Sequence, residues 1–119
     1  MKKTLVLGAS NKPQRYSYLA IRKLRDHGHA VIAVGKKTGE VADVSIVTAI
    51  AEHSDIDTIT IYLNPINQKP YYDSILTLKP KRIIFNPGSE NPELQTLAKD
   101  HGIPTLEACT LVMLSTSSY

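Results

Sequence analysis

The chain has 119 residues, 42% hydrophobic and 21% charged, with one cysteine and no tryptophan. That is room for one compact domain, residues 1–119, with an ordinary core, and it excludes a disordered or low-complexity protein. Cys109 has no companion, which excludes a disulfide scaffold and a Cys-rich zinc site. No apolar run approaches the roughly 20 residues that span a bilayer, and Thr4–Leu7 is too short for the apolar stretch of a secretory leader, so no membrane partner and a cytoplasmic location are expected.

The net charge of +3 is unevenly placed: residues 1–40 carry nine Lys/Arg against two Asp/Glu, whereas residues 41–119 carry five against nine. The basic half is either a solvated face or the seat of an anionic partner. Nucleic acid is disfavoured as that partner, because Tyr16 and Tyr18 are the only aromatic residues there and no nucleic-acid-binding motif is present. A discrete phosphate ligand fits better.

Thr4–Leu7, an unbroken apolar run stopped by Gly8, predicts a strand buried on both faces. After a loop, Ser17 is expected to cap a helix ending near His27, with Ala20, Ile21 and Leu24 on one side and Gly28 as its stop. Residues 30–34 predict the second strand, stopped by Gly35, which completes a βαβ unit. Residues 36–57 predict a loop with a short helix near 47–51, and the β-branched run 58–63 predicts a strand ended by Asn64-Pro65. A helix over 69–78, a strand over 82–85 and the turn Asn86-Pro87-Gly88 follow. Asn91 as cap and Pro92 at the first helical position open a helix that closes at His101-Gly102. A short strand over 104–107 and an apolar segment over 109–114 end the pattern, with residues 115–119 expected to be disordered. Alternating strands and helices predict an α/β fold: a Rossmann-like, three-layer, open parallel β-sheet with helices on both faces.

In such a sheet, ligands bind outside the carboxyl ends of the strands. The first of these ends runs from Gly8 to Tyr18 and lacks both the dinucleotide fingerprint and a Walker loop. It places Ser10, Lys12, Arg15 and Ser17 beside a helix N-terminus, where backbone N–H groups and the helix dipole favour an anion. Lys12 and Arg15 are therefore either phosphate ligands or solvated loop charges. At the second strand end an NAD site wants an acidic residue, and this chain has Gly35-Lys36-Lys37. The two lysines suit a further phosphate on the ribose, as in NADP or coenzyme A, or are a bland surface pair.

Catalytic groupings are weak. No nucleophile elbow occurs, His27, His29 and His101 read as helix C-terminal caps, and His53 with Glu52 and Asp55 reads as surface. Cys109, in an apolar setting, reads as buried and inert.

The pattern Gly8-Ala9-Ser10-x-Lys12-Pro13-x-Arg15-x-Ser17-Tyr18, the strand Val31-Ile32-Ala33-Val34, and Pro87-Gly88-Ser89-Glu90-Asn91 followed by a helix and Glu107-Ala108-Cys109 together resemble the small stand-alone CoA-binding proteins. Their Rossmann-like domain is similar to the N-terminal domain of the succinyl-CoA synthetase α subunit. The resemblance spans nearly the whole chain. It implies coenzyme A or an acyl-CoA as ligand, bound without acyl transfer. The diphosphate would lie in the loop of Gly8, Ala9, Ser10, Lys12, Arg15, Ser17 and Tyr18, the adenosine and its 3′-phosphate near Gly35, Lys36 and Lys37, and the pantetheine arm along Leu63, Asn64 and Pro65. Leu63-Asn64 stands where many relatives carry two arginines, Gly35-Lys36 where they carry Asn-Pro, and Ala108 where an arginine is common. Two other readings stand beside it: an NADP-binding or redox-sensing module, and an interaction subunit with a degenerate nucleotide site whose tail, Leu111 to Leu114, docks on a second copy or another protein.

Overall fold

The computed structural model describes residues 1–53 and 55–119. The strands are β1 (Thr4–Leu7), β2 (Val31–Val34), β3 (Gly39–Val41), β4 (Val44–Val47), β5 (Thr58–Ile61), β6 (Arg82–Phe85) and β7 (Thr105–Glu107). The helices are α1 (Tyr16–Asp26), α2 (Pro65–Gln68), α3 (Tyr72–Leu78), α4 (Pro92–Asp100) and α5 (Thr110–Ser115), with a 3-10 turn at Lys69–Tyr71 joining α2 to α3.

The strands form one sheet in the order β3-β4-β2-β1-β5-β6-β7, parallel except for the β3–β4 pair. β1 and β5, buried along their whole length, lie next to each other at the centre, in register from Thr4 opposite Thr58 to Leu7 opposite Ile61. The chain first builds outward from β1 through β2 and β4, then returns to the other side of β1 and builds outward through β5, β6 and β7. Strand order therefore reverses between β1 and β5, the place where an open α/β sheet presents a crevice at its carboxyl edge.

Alternation of side chains along each strand gives the sheet two apolar faces. Leu5, Leu7, Ile59, Ile61, Ile83 and Phe85 pack with Ile75 of α3 and Leu94 and Ala98 of α4. On the opposite face Val6, Ala33 and Ile46 pack with Ile21 and Leu24 of α1 and Leu114 of α5. This is the expected Rossmann-like α/β sheet with helices on both sides.

Several local expectations need correction. No helix forms near 47–51; instead Val41 pairs with Val44 across a tight turn at Ala42-Asp43, and β4 extends the sheet parallel to β2. The alternation of buried Val44 and Ile46 with exposed Ser45 and Val47 is the period-2 signature of a strand with one solvated face. Arg25 on α1 grips Asp43 with two bonds, Nε to Oδ1 at 2.9 Å and Nη2 to Oδ2 at 2.7 Å, and so pins the hairpin to the helix layer. Second, Ser17 does not cap α1: Arg15 occupies that position with an extended backbone and no side-chain cap, while Ser17 is buried inside the first turn. Asn91, by contrast, caps α4 by accepting from the Leu94 N–H at 3.1 Å. Third, the helix expected over 69–78 is split: Pro70 has no N–H to give, and α3 begins only after the 3-10 turn.

The fourth correction is at the C-terminus. Residues 115–119 are ordered, and Tyr119 packs at the amino edge of the sheet. Its hydroxyl shares a 2.5 Å hydrogen bond with Thr4 Oγ1, the Arg82 guanidinium lies 4.5 Å from its ring centre, and the His29 ring meets it at 5.0 Å. His29 thus serves this cluster and is no helix cap; its Nδ1 accepts from the Lys2 N–H at 2.8 Å. His27 and His101 do sit at helix ends, each with Nδ1 within 2.9 Å of the carbonyl four residues back. The apolar tail packs within its own chain: α5 lies against α1 with Leu114 buried. Cys109, expected buried, is partly exposed just ahead of α5. Among the described residues no helix is long and apolar enough to cross a membrane.

Candidate functional site

A cleft of about 530 Å³ opens at the carboxyl edge of the sheet, across the point where strand order reverses. One wall consists of Gly8, Ala9, Ser10, Lys12, Arg15 and Ser17 from the β1–α1 loop with Lys36 and Lys37 after β2. The other consists of Tyr62, Leu63 and Asn64 after β5, Asn67 of α2, and Pro87, Gly88 and Ser89 after β6. A smaller recess of about 170 Å³ adjoins it, shared by Gly8, Lys36, Leu63 and Asn67 and closed by Gly35, Pro70 and Tyr71.

Every residue expected at the site thus lines one of the two spaces, except Tyr18 and Pro65. The Tyr18 ring instead packs against the Val6 and Ile21 cluster, with the Arg22 guanidinium 5.8 Å from its centre. Pro65 occupies the first position of α2, where its fixed φ suits the helix start. Asn11, Tyr16, Tyr62, Asn67, Pro70, Tyr71, Pro87, Gly88 and Ser89 also line the site without having been singled out, although the turn at Asn86-Pro87-Gly88 was legible as a strand end.

Backbone geometry sets the floor of the cleft. Gly8, at φ +93°, and Ala9 both donate N–H bonds to the Val34 carbonyl, at 2.8 and 2.9 Å, so the loop turns sharply over the end of β2. A Cβ at Gly35 would sit 2.2 Å from the Ala9 carbonyl oxygen, closer than any carbon can approach; only glycine lets β2 end under this loop. The loop then leads into α1, which has neither a side-chain cap nor an acidic residue in its first turn. The first N–H groups of a helix have no partner within it, so this end presents donors and a partial positive charge beside Lys12 and Arg15.

The neutral wall is held by a buried network. Gln68, fully buried, donates from Nε2 to the Leu63 and Ser89 carbonyls, both at 2.8 Å, and so ties the β5–α2 loop to the β6–α4 loop. Carbonyls can only accept, which orients the Gln68 amide and turns its Oε1 toward Asn91 Nδ2 at 2.9 Å. Asn91 Nδ2 also reaches the Tyr72 hydroxyl at 2.9 Å, and that hydroxyl donates to Glu93 at 3.0 Å. A second network joins the end of β6 to α5: Asn86 donates to Thr60 Oγ1 and the Ile61 carbonyl and accepts from the Thr110 N–H at 2.9 Å. Sequence patterning does not reveal either network, because buried Gln and Asn are uncommon and their partners lie some twenty residues away in the chain.

Tyr62 lies between these networks and the cleft. Its phenol oxygen is buried with no hydrogen-bond partner among the described residues. Burial, opposed by the nearby Thr110 hydroxyl, raised further by Cys109 and opposed again by Thr60, holds the phenol well above the ordinary tyrosine range, so it stays neutral.

Residues 2–115 match the CoA binding domain family. The chain belongs to that family. Solved structures share its fold throughout: an uncharacterized protein whose crystal structure is 50% identical gives a TM-score of 0.97, covering 100% of this chain and 98% of that one. A Thermus thermophilus protein at 24% identity gives 0.84 over 99% of this chain and 90% of its own. A hypothetical protein from Pyrococcus horikoshii at 23% identity gives 0.87 over 97% and 82%. The last two, at such low identity, speak to the fold alone. No functionally curated protein shows significant sequence similarity to the chain. Family membership supports CoA binding in general.

Proposed function

We propose that this protein binds coenzyme A or an acyl-CoA without transforming it, with the β1–α1 loop as the phosphate clamp. The observation that carries this reading is the convergence of Lys12, Arg15, Lys36 and Lys37, from two separate loops, on one wall of one cleft whose opposite wall is neutral. A ligand with several phosphates at one end and an uncharged, amide-bearing arm at the other matches that division. Lys12, Arg15 and the first N–H groups of α1 would hold the diphosphate. Lys36 and Lys37 would meet the ribose 3′-phosphate, and the adenine would enter the recess between Gly35, Leu63 and Tyr71. Asn64, Asn67 and Ser89 would meet the pantetheine amides. The hydroxyl, amide and cationic groups that line the cleft are suited to holding such a molecule.

Isothermal titration calorimetry of nucleotide-free protein with CoA, dephospho-CoA and NADP under identical salt tests the proposal. CoA is expected to bind most tightly, and loss of the 3′-phosphate to weaken it about tenfold, the size of one lost charge-assisted contact. The double variant Lys12→Ala/Arg15→Ala should lose most of the affinity, whereas Lys99→Ala on α4 should lose none. Equal binding of NADP, or a clamp variant no weaker than Lys99→Ala, would refute the reading.

A further inference from the structure

The two ends of the cleft differ in charge as well as shape. The cations lie on the loops after β1 and β2. In the second half of the chain, Lys79, Lys81 and Arg82 lie at the opposite, amino edge of β6, Lys99 is in the last turn of α4, and Lys69 follows α2 without lining either space. The far wall therefore has no lining cation among the described residues.

Two of the amide groups on this side are already committed. Asn64 Oδ1 already accepts from the Asn67 N–H at 2.9 Å, and the Gln68 amide is consumed by the Leu63 and Ser89 carbonyls. The turn after β6 would otherwise offer N–H groups to an anion, but its donors are taken from within. The Ser89 N–H bonds the Asn86 carbonyl at 2.9 Å, and the Gly88 N–H bonds Glu90 Oε1 at 2.9 Å. Glu90 thus places the chain's own carboxylate on the turn where a ligand carboxylate would seek a donor.

We infer that this end of the cleft accepts the free thiol or an uncharged acyl thioester of CoA and discriminates against acyl groups that end in a carboxylate. The inference rests on the CoA reading above. With the phosphates at the cationic wall and the amides at Asn64, Asn67 and Ser89, the thiol end of the ligand extends toward Tyr62 and the Pro87-Gly88 turn. A terminal carboxylate there loses water, meets no lining cation on that wall and comes near the Glu90 carboxylate that holds the lining residue Gly88.

The test is calorimetric titration of the intact protein with CoA, acetyl-CoA, butyryl-CoA and succinyl-CoA at about 0.15 M salt. Acetyl-CoA and butyryl-CoA are expected to bind within about threefold of CoA, and succinyl-CoA about fivefold or more weaker than butyryl-CoA, the effect of one partly screened like-charge contact. Glu90→Gln, whose amide oxygen can still accept from Gly88, should narrow the ratio of butyryl-CoA to succinyl-CoA affinity. Succinyl-CoA binding as tightly as butyryl-CoA would overturn the inference while leaving CoA binding intact. Failure of CoA itself to bind would overturn the CoA reading and this inference with it.

Discussion

Gln68→Glu is the sharpest probe of how the cleft is held open. The substitution is nearly isosteric, but it replaces the N–H donors facing the Leu63 and Ser89 carbonyls at 2.8 Å with oxygen. As a carboxylate, the introduced side chain would bury a charge against two carbonyl dipoles on a wall without a lining cation, so it should take up a proton. A glutamate in the unfolded chain titrates near 4.3, so holding it protonated at pH 7 costs about 3.7 kcal/mol, at about 1.4 kcal/mol per unit of pH. One proton satisfies one of the two carbonyls, and the other, buried and unpaired, costs about 1–3 kcal/mol more. The total, about 5–7 kcal/mol at pH 7, rivals the whole stability of a domain this size.

The sign with pH follows from which form the fold prefers. The folded-state pKa is raised above the unfolded value, so the variant is weakest relative to wild type above the folded pKa. It recovers as pH falls through that value toward about 4.3. Urea unfolding followed by circular dichroism at pH 7 and pH 5, with Gln68→Met as an uncharged reference, measures this. Gln68→Met should lose stability by an amount independent of pH. A loss below about 1 kcal/mol for Gln68→Glu at pH 7, or one that does not shrink at pH 5, would mean the site is wetter and less constrained than its bonds imply.

Gly35→Ala forces a Cβ to within 2.2 Å of the Ala9 carbonyl and should cost about 1–3 kcal/mol in urea unfolding while displacing the β1–α1 loop. Gly28→Ala, where the Cβ enters open space and only the φ of +82° is unfavourable, should cost about 1–2 kcal/mol and leave ligand affinity untouched. His29, whose pKa is lowered by burial first and then by the N-terminal ammonium, His27, Lys2 and Arg82, contributes stability that is intact above about pH 6.5 and fades as pH falls below it. Thermal melts of wild type should show that decline, and those of His29→Gln should show less of it. Leu114→Ala should cost about 2–5 kcal/mol through the cavity left beneath α1, with the elution volume on size exclusion unchanged.

Much of the fold could be read locally. Thr4–Leu7 and Thr58–Ile61 are short, apolar or β-branched and bounded by turn formers, so no helix competes for them. Asn91-Pro92 carries its own helix start in the cap and the fixed φ. The place of Lys12 and Arg15 was legible for a similar reason: they lie in a loop between a strand-ending glycine and a helix, and that order alone sends them to the carboxyl edge of the sheet. The β3–β4 hairpin was missed, although its alternation was present, because Val41-Ala42-Asp43-Val44 lacks the glycine that usually marks a two-residue turn; Ala42 adopts φ +54° and is held there by strand pairing and the Arg25–Asp43 bridge.

What the sequence by itself determined is the order of elements, their apolar faces and the chemistry of the loops, because each depends on residues near one another in the chain. Tertiary structure alone decided which loops share a cleft. The pairing of β1 with both β2 and β5 brings Lys36 and Asn64 to opposite walls, Gln68 fixes the neutral wall through carbonyls on two loops, and Tyr119 closes the far edge against Thr4 and Arg82. Most of these contacts join residues from about twenty to more than a hundred positions apart, and no local pattern encodes a partner at that distance.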